Sequence, residues 1–124
     1  MDTILIVDDS KTIQKQVTLF ANKHYPQMKV VAANSGEDAL MIIPDLKDNV
    51  AVAIFDYNMD GITGLELIEK AKEYISLKKI VLCTANVQET IQSKAGQTGV
   101  RFKEKPLTID SFKEVVDSIL EANK

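Results

Sequence analysis

Five polar residues with chemistry to offer fall where short apolar runs end. Asp8 and Asp9 follow Ile4-Leu5-Ile6-Val7, Asp56 follows Val50-Ala51-Val52-Ala53-Ile54-Phe55, and Thr84-Ala85 follows Ile80-Val81-Leu82-Cys83. Lys105-Pro106 closes a weaker run from Val100 to Glu104. If the runs are neighbouring strands of one sheet, three carboxylates, a hydroxyl and an ammonium meet at one rim. Packed carboxylates repel one another, and at least one would be pushed towards protonation unless a cation neutralised it. An all-oxygen donor set suits Mg²⁺ or Ca²⁺ rather than zinc. Mg²⁺ takes one or two protein carboxylates and keeps its other positions for water and phosphate, so such a rim suits phosphoryl chemistry.

The rest of the chain has to bring these residues together. The four strong apolar runs, with Val30-Val31-Ala32-Ala33 among them, are continuous rather than alternating, which suits strands covered on both faces of a parallel sheet. Lys103 and Glu104 mark the fifth strand as an edge. Between the runs the period is helical. Phe112, Val115, Val116, Ile119 and Leu120 repeat at i, i+3, i+4, i+7 and i+8, and Ile13, Val17 and Phe20 form a stripe entered through Ser10. Leu65, Ile68, Ala71, Lys72 and Ile75 follow Thr63. A second helix is expected over Gly36 to Ile43, stopped by Pro44, and a fourth over Gln88 to Ala95, before Gly96 and Gly99. This (βα)₅ order predicts an α/β, doubly wound, five-stranded parallel sheet, with its crevice at the carboxyl ends of the strands.

Bulk properties narrow the class. The 124 residues, 45% hydrophobic and 27% charged, are enough for one core, so a single domain over residues 1–124 with no output domain is expected. The lone Cys83 sits in an apolar run and reads as core. No stretch reaches the ~18 apolar residues that span a bilayer, so a cytoplasmic protein with no membrane contact is expected. A net charge of −3 without a basic, aromatic-rich cluster disfavours direct nucleic-acid binding. A monomer is expected.

The motifs Val7-Asp8-Asp9-Ser10, Phe55-Asp56-Tyr57-Asn58-Met59, Thr84-Ala85 and Lys105-Pro106, in that order from Ile4 to Leu120, resemble the receiver domain of two-component response regulators. The stand-alone chemotaxis type is the nearest resemblance. It implies a flavodoxin-like fold with strand order 2-1-3-4-5, and Mg²⁺ held by Asp9 directly, by Asp8 through water, and by Asp56 and the Asn58 carbonyl. Asp56 would accept a phosphoryl group from a histidine kinase or phosphotransfer protein. Lys105, Thr84 and the Ala85 N–H would bind phosphoryl oxygens. Thr84 and Phe102 would form a switch addressing a protein target through the face of the fourth helix, fifth strand and fifth helix. Three features depart from the family pattern: Asp60 and Thr63 replace the usual proline and acidic residue, Phe102 replaces the usual tyrosine, and the segment from Thr84 to Lys105 is about one residue short.

Each motif alone has a plainer reading. Asp8-Asp9 could be a strand-end turn, Lys105-Pro106 a loop lysine before a helix stop, Thr84 a strand former and Phe102 simple packing. His24 reads as a surface or capping residue. Two other functions compete with a non-enzymatic signalling domain. One is a binding module of the same fold that is never phosphorylated. The other is an aspartyl-nucleophile phosphatase, against which the adjacency of Asp8 and Asp9 counts, because successive strand residues point to opposite faces.

Overall fold

The computed structural model describes residues 2–85 and 97–123. Five strands, β1 (Thr3–Val7), β2 (Lys29–Ala33), β3 (Val50–Asp56), β4 (Ile80–Thr84) and β5 (Arg101–Glu104), form one parallel sheet in the order β2-β1-β3-β4-β5. The expected doubly wound α/β fold is therefore present. Four helices lying wholly within the described residues flank the sheet: α1 (Lys11–His24), α2 (Gly36–Leu46), α3 (Gly64–Ala71) and the C-terminal α4 (Ile109–Ala122). The helix expected over Gln88 to Ala95 lies outside the described residues. No described helix is long and apolar enough to cross a membrane.

Strand alternation explains why the apolar runs are continuous. Leu5, Val7, Ala53, Phe55, Ile80 and Leu82 point to the α2 and α3 side. Ile4, Ile6, Val52, Ile54, Val81 and Cys83 point to α1 and α4. With both faces covered there is no polar side for the strands to show. On the second side Phe112 is fully buried and packs against Phe20 and Tyr25 at centroid distances of 5.7 and 6.1 Å. Burying a ring of that size contributes about 1.5–3 kcal/mol. Cys83 is buried as expected, and its thiol is pushed up to about 12, chiefly by burial.

The helix starts follow from side-chain caps. Ser10 accepts from the Ile13 N–H, and Thr63 and Glu66 form a reciprocal capping box at α3. Thr63, in a loop without the usual proline and acidic residue, thus still opens the helix. Two local expectations need correction. α2 continues through Pro44 to Leu46, since a proline in a last turn forfeits only one backbone hydrogen bond near a helix end. α3 ends at Ala71, and Ile75 reaches the core from the turn beyond it, where its N–H still bonds the Ala71 carbonyl. His24 is half-buried at the last position of α1, next to the buried Tyr25, and its Nε2 atom is buried without a hydrogen-bond partner among the described residues.

The β3–α3 loop turns at Gly61, whose φ of +85° favours glycine, and enters α3 against the sheet. A methyl group on Gly64 would lie 2.6 Å from both the Asp56 carbonyl oxygen and Leu82 Cδ1. Gly64→Ala should therefore destabilise the domain by about 1–3 kcal/mol in a denaturant titration. An unchanged midpoint would mean that α3 can move away from β3 freely.

Candidate functional site

The sheet register builds the rim. Val7 of β1 pairs with Phe55 of β3, so the next residues, Asp8 and Asp56, stand side by side on adjacent central strands. Asp56 in turn pairs with Cys83, and Thr84 with Glu104. Backbone hydrogen bonds continue one step past the strands: Asp8 N–H to the Ala33 carbonyl at 3.1 Å, Tyr57 N–H to Cys83 at 2.8 Å and Lys105 N–H to Thr84 at 2.8 Å. The backbone hydrogen-bond ladder of the sheet thus extends into the rim at Asp8, Tyr57 and Lys105.

Lys105 reaches back across the rim, its Nζ donating to Asp8 Oδ2 at 2.8 Å and lying 3.0 Å from Asp56 Oδ1. The side chains of Asp8 and Asp56 are 2% and 5% exposed, so this bridge is buried, whereas Asp9 is exposed. One carboxylate oxygen each from Asp8, Asp9 and Asp56 lies within 4.8 Å of the others. Burial and the charge of Asp8 push the Asp56 carboxyl above its ordinary range, against the Lys105 hydrogen bond and charge and a backbone hydrogen bond from Asn58. For Lys105, burial alone would favour the neutral amine, but its bonds to Asp8 and Asp56 prevail and hold its ammonium above the usual lysine range.

Three carboxylates facing one ammonium leave two negative charges in excess. A hard dication bound by oxygen would remove that excess, so the donor set fits Mg²⁺. Of the other expected residues, Thr84 is fully buried at the rim with Ala85 exposed next to it, and Asn58 is exposed two residues after Asp56. Phe102, paired with Leu82, is half-buried against the α2 and α3 side of the core. Spacing does not distinguish Gln14 as a site residue, yet it is buried and its Nε2 donates to the Asp8 carbonyl oxygen at 2.7 Å. Its one sequence signal is a glutamine on the same helical face as Val17 and Ala21.

A doubly wound parallel sheet with its polar residues gathered at the carboxyl-end crevice defines the class of open α/β domains whose ligand sites lie at that edge. Within that class, the chain belongs to the response regulator receiver domain family, whose model matches residues 4–117. It is 30% identical to the two-component response regulator ARR15 of Arabidopsis thaliana, over 94% of this chain and 62% of that protein. It thus spans about three-fifths of that relative's length. It is also 29% identical to chemotaxis protein CheY-3 of Vibrio cholerae, over 95% of this chain and 91% of that one. A response regulator receiver domain protein from Clostridium thermocellum superposes with a TM-score of 0.87, covering 99% of this chain and 97% of that one. At 18% identity, that likeness bears on the fold alone.

Proposed function

We propose that this receiver domain accepts a phosphoryl group on Asp56 from a phosphohistidine partner, with Mg²⁺ held by Asp9, Asp56 and the Asn58 carbonyl, and by Asp8 through water. The observation that carries this reading is the buried Lys105 bridge between Asp8 and Asp56 within a three-carboxylate rim. Bound Mg²⁺ would supply the positive charge that offsets the carboxylates and the incoming phosphoryl oxygens. An Asp56 carboxylate oxygen forms the new bond to phosphorus as the bond from phosphorus to the histidine nitrogen breaks. The imidazole nitrogen keeps that electron pair. Lys105 can exchange its Asp56 contact for a phosphoryl oxygen without leaving Asp8. Thr84 and the Ala85 N–H would take another oxygen. Few groups are needed because transfer through a loose transition state depends on positioning and charge compensation.

The same reading makes the domain a signalling module rather than an enzyme. Its protein target would meet the face that includes β5, α4 and Phe102, with Thr84 and Phe102 as the switch. A small acyl phosphate and Mg²⁺ should add one phosphoryl group, seen by intact-mass measurement and lost slowly. Sustained turnover of phosphoesters would instead indicate a phosphatase, and absence of an adduct a binding module.

Within the cation site, Asp9→Ala should weaken Mg²⁺ binding more than Asp8→Ala. Both Asp8 carboxylate oxygens are already engaged, one by the Ser10 N–H at 2.9 Å and one by Lys105, whereas Asp9 faces solvent. Isothermal titration compares the two. Equal losses would count against this division of labour.

A further inference from the structure

Every polar atom of Asp8 is tied by a different element. Its N–H goes to the Ala33 carbonyl at 3.1 Å, Oδ1 accepts from the Ser10 N–H at 2.9 Å, Oδ2 accepts from Lys105 at 2.8 Å, and its carbonyl oxygen accepts from Gln14 Nε2 at 2.7 Å. The last of these is special, because the Asp8 carbonyl belongs to the peptide plane that joins Asp8 to Asp9. A peptide unit is rigid, so fixing that oxygen fixes the direction in which the chain leaves Asp8 and presents Asp9. Gln14 is 8% exposed and belongs to α1, yet its amide faces the loop and not only the core. The same nitrogen lies 2.9 Å from Asn34 Oδ1, and that oxygen also accepts from Lys11 Nζ at 2.7 Å. Both contacts demand a donor from Gln14, which sets the orientation of its amide.

We propose that Gln14 is a positioning residue for the cation site, clamping the Asp8–Asp9 peptide from α1 and tying it through Asn34 to the loop after β2. The proposal rests on the Mg²⁺ site described above. Asp9 is exposed and no described hydrogen bond holds its side chain, so its aim depends on the backbone beneath it. Asp8 keeps its place without Gln14 through its other three bonds. Loss of Gln14 therefore loosens Asp9 while leaving the Lys105 bridge intact. Partners that orient ligands in this way commonly matter about tenfold or more in metal affinity.

The test uses Mg²⁺ alone, titrated calorimetrically well below the melting transition, on the wild type, Gln14→Met, Asn34→Ala, Thr18→Val and Asp9→Ala. Methionine keeps the length of glutamine but donates nothing. Gln14→Met should weaken Mg²⁺ binding about tenfold, while the Ser10 amide, still held by Asp8 Oδ1, should exchange as in the wild type. Asn34 is exposed, so Asn34→Ala probes the same tie without entering the core, and it should weaken binding by a smaller factor. Thr18→Val removes the hydroxyl that donates to the Gln14 backbone carbonyl at 2.8 Å, and should change stability but not affinity. If Gln14→Met and Asn34→Ala both bind Mg²⁺ as wild type while Asp9→Ala does not, the positioning role is wrong and the cation site stands. If the wild type fails to bind Mg²⁺, or Asp9→Ala binds equally well, the site itself falls and the clamp with it.

Discussion

Replacing Lys105 with methionine should destabilise the metal-free domain by about 2–4 kcal/mol at neutral pH, because it strands two buried carboxylates. Asp8 and Asp56 are almost wholly buried side chains, and Lys105 is the ammonium between them. Breaking a fully buried pair by removing one partner typically costs about 3–5 kcal/mol, and the access of water to the Lys105 end reduces that figure. The loss should depend on pH in a definite sense. The Asp56 carboxyl is already raised by burial and by Asp8, and removing Lys105 takes away two influences that lower it. A carboxyl whose folded pKa exceeds its unfolded one loses stability as pH rises through the folded value, because ionisation is then penalised only in the folded state. The lysine's own pKa is raised as well, so its charge is constant across the acid-to-neutral range and adds no slope there. Lys105→Met should thus approach wild-type stability in mild acid and fall furthest behind at neutral pH. Thermal melts at several pH values measure this. Adding Asp56→Asn to the variant should recover much of the deficit. A deficit independent of pH would show that Lys105 acts through packing alone.

Asp56→Asn by itself should abolish phosphoryl acceptance while raising the stability of the metal-free domain by about 1 kcal/mol at neutral pH. The first effect follows from the loss of the carboxylate nucleophile, since an amide oxygen forms no stable bond to phosphorus under these conditions. The second follows from the opposing influences on Asp56: burial and Asp8 outweigh Lys105 and the Asn58 backbone. Asparagine keeps the shape, removes the penalised charge and leaves Lys105 paired with Asp8. The gain should fade as pH falls through the raised Asp56 pKa, where the wild-type carboxyl is protonated. Mg²⁺ should narrow or reverse the difference, because a ligand that binds only the folded state stabilises the protein that binds it better. An asparagine variant less stable than wild type at neutral pH without metal would mean that Lys105 more than compensates the burial of Asp56.

The strands and the rim were legible in the sequence for one physical reason. A parallel strand covered on both faces must be apolar throughout, so the first polar residue after each run marks the edge of the sheet, where Asp8, Asp56 and Thr84 stand. The strand boundaries coincide with the apolar runs or differ from them by a single residue, as at Thr3, Lys29, Asp56 and Thr84. Features set by tertiary contact were not legible. Pro44 looked like a helix stop, but backbone bonding near a helix end tolerates a proline. The burial of His24 Nε2 depends on how α1 runs into Tyr25, and the role of Gln14 on where the Asp8 carbonyl points. Lys105 was legible as a rim residue, but its bridge between two carboxylates needs the order of the strands, which places β5 two strands from Asp56 and three from Asp8.

The central claim, that Asp56 carries the phosphoryl group, is tested most directly by chemical trapping. The domain is treated with an acyl phosphate and Mg²⁺, the acyl phosphate formed on the protein is reduced with borohydride, and the digest is mapped by mass spectrometry. An aspartyl phosphate is an activated acyl group, so reduction converts that aspartate to homoserine while free carboxylates survive. The expected result is homoserine at position 56, dependent on Mg²⁺ and lost in Asp56→Asn. Homoserine at position 8 or 9, or none anywhere in a protein shown to be folded and Mg²⁺-bound, would contradict the account.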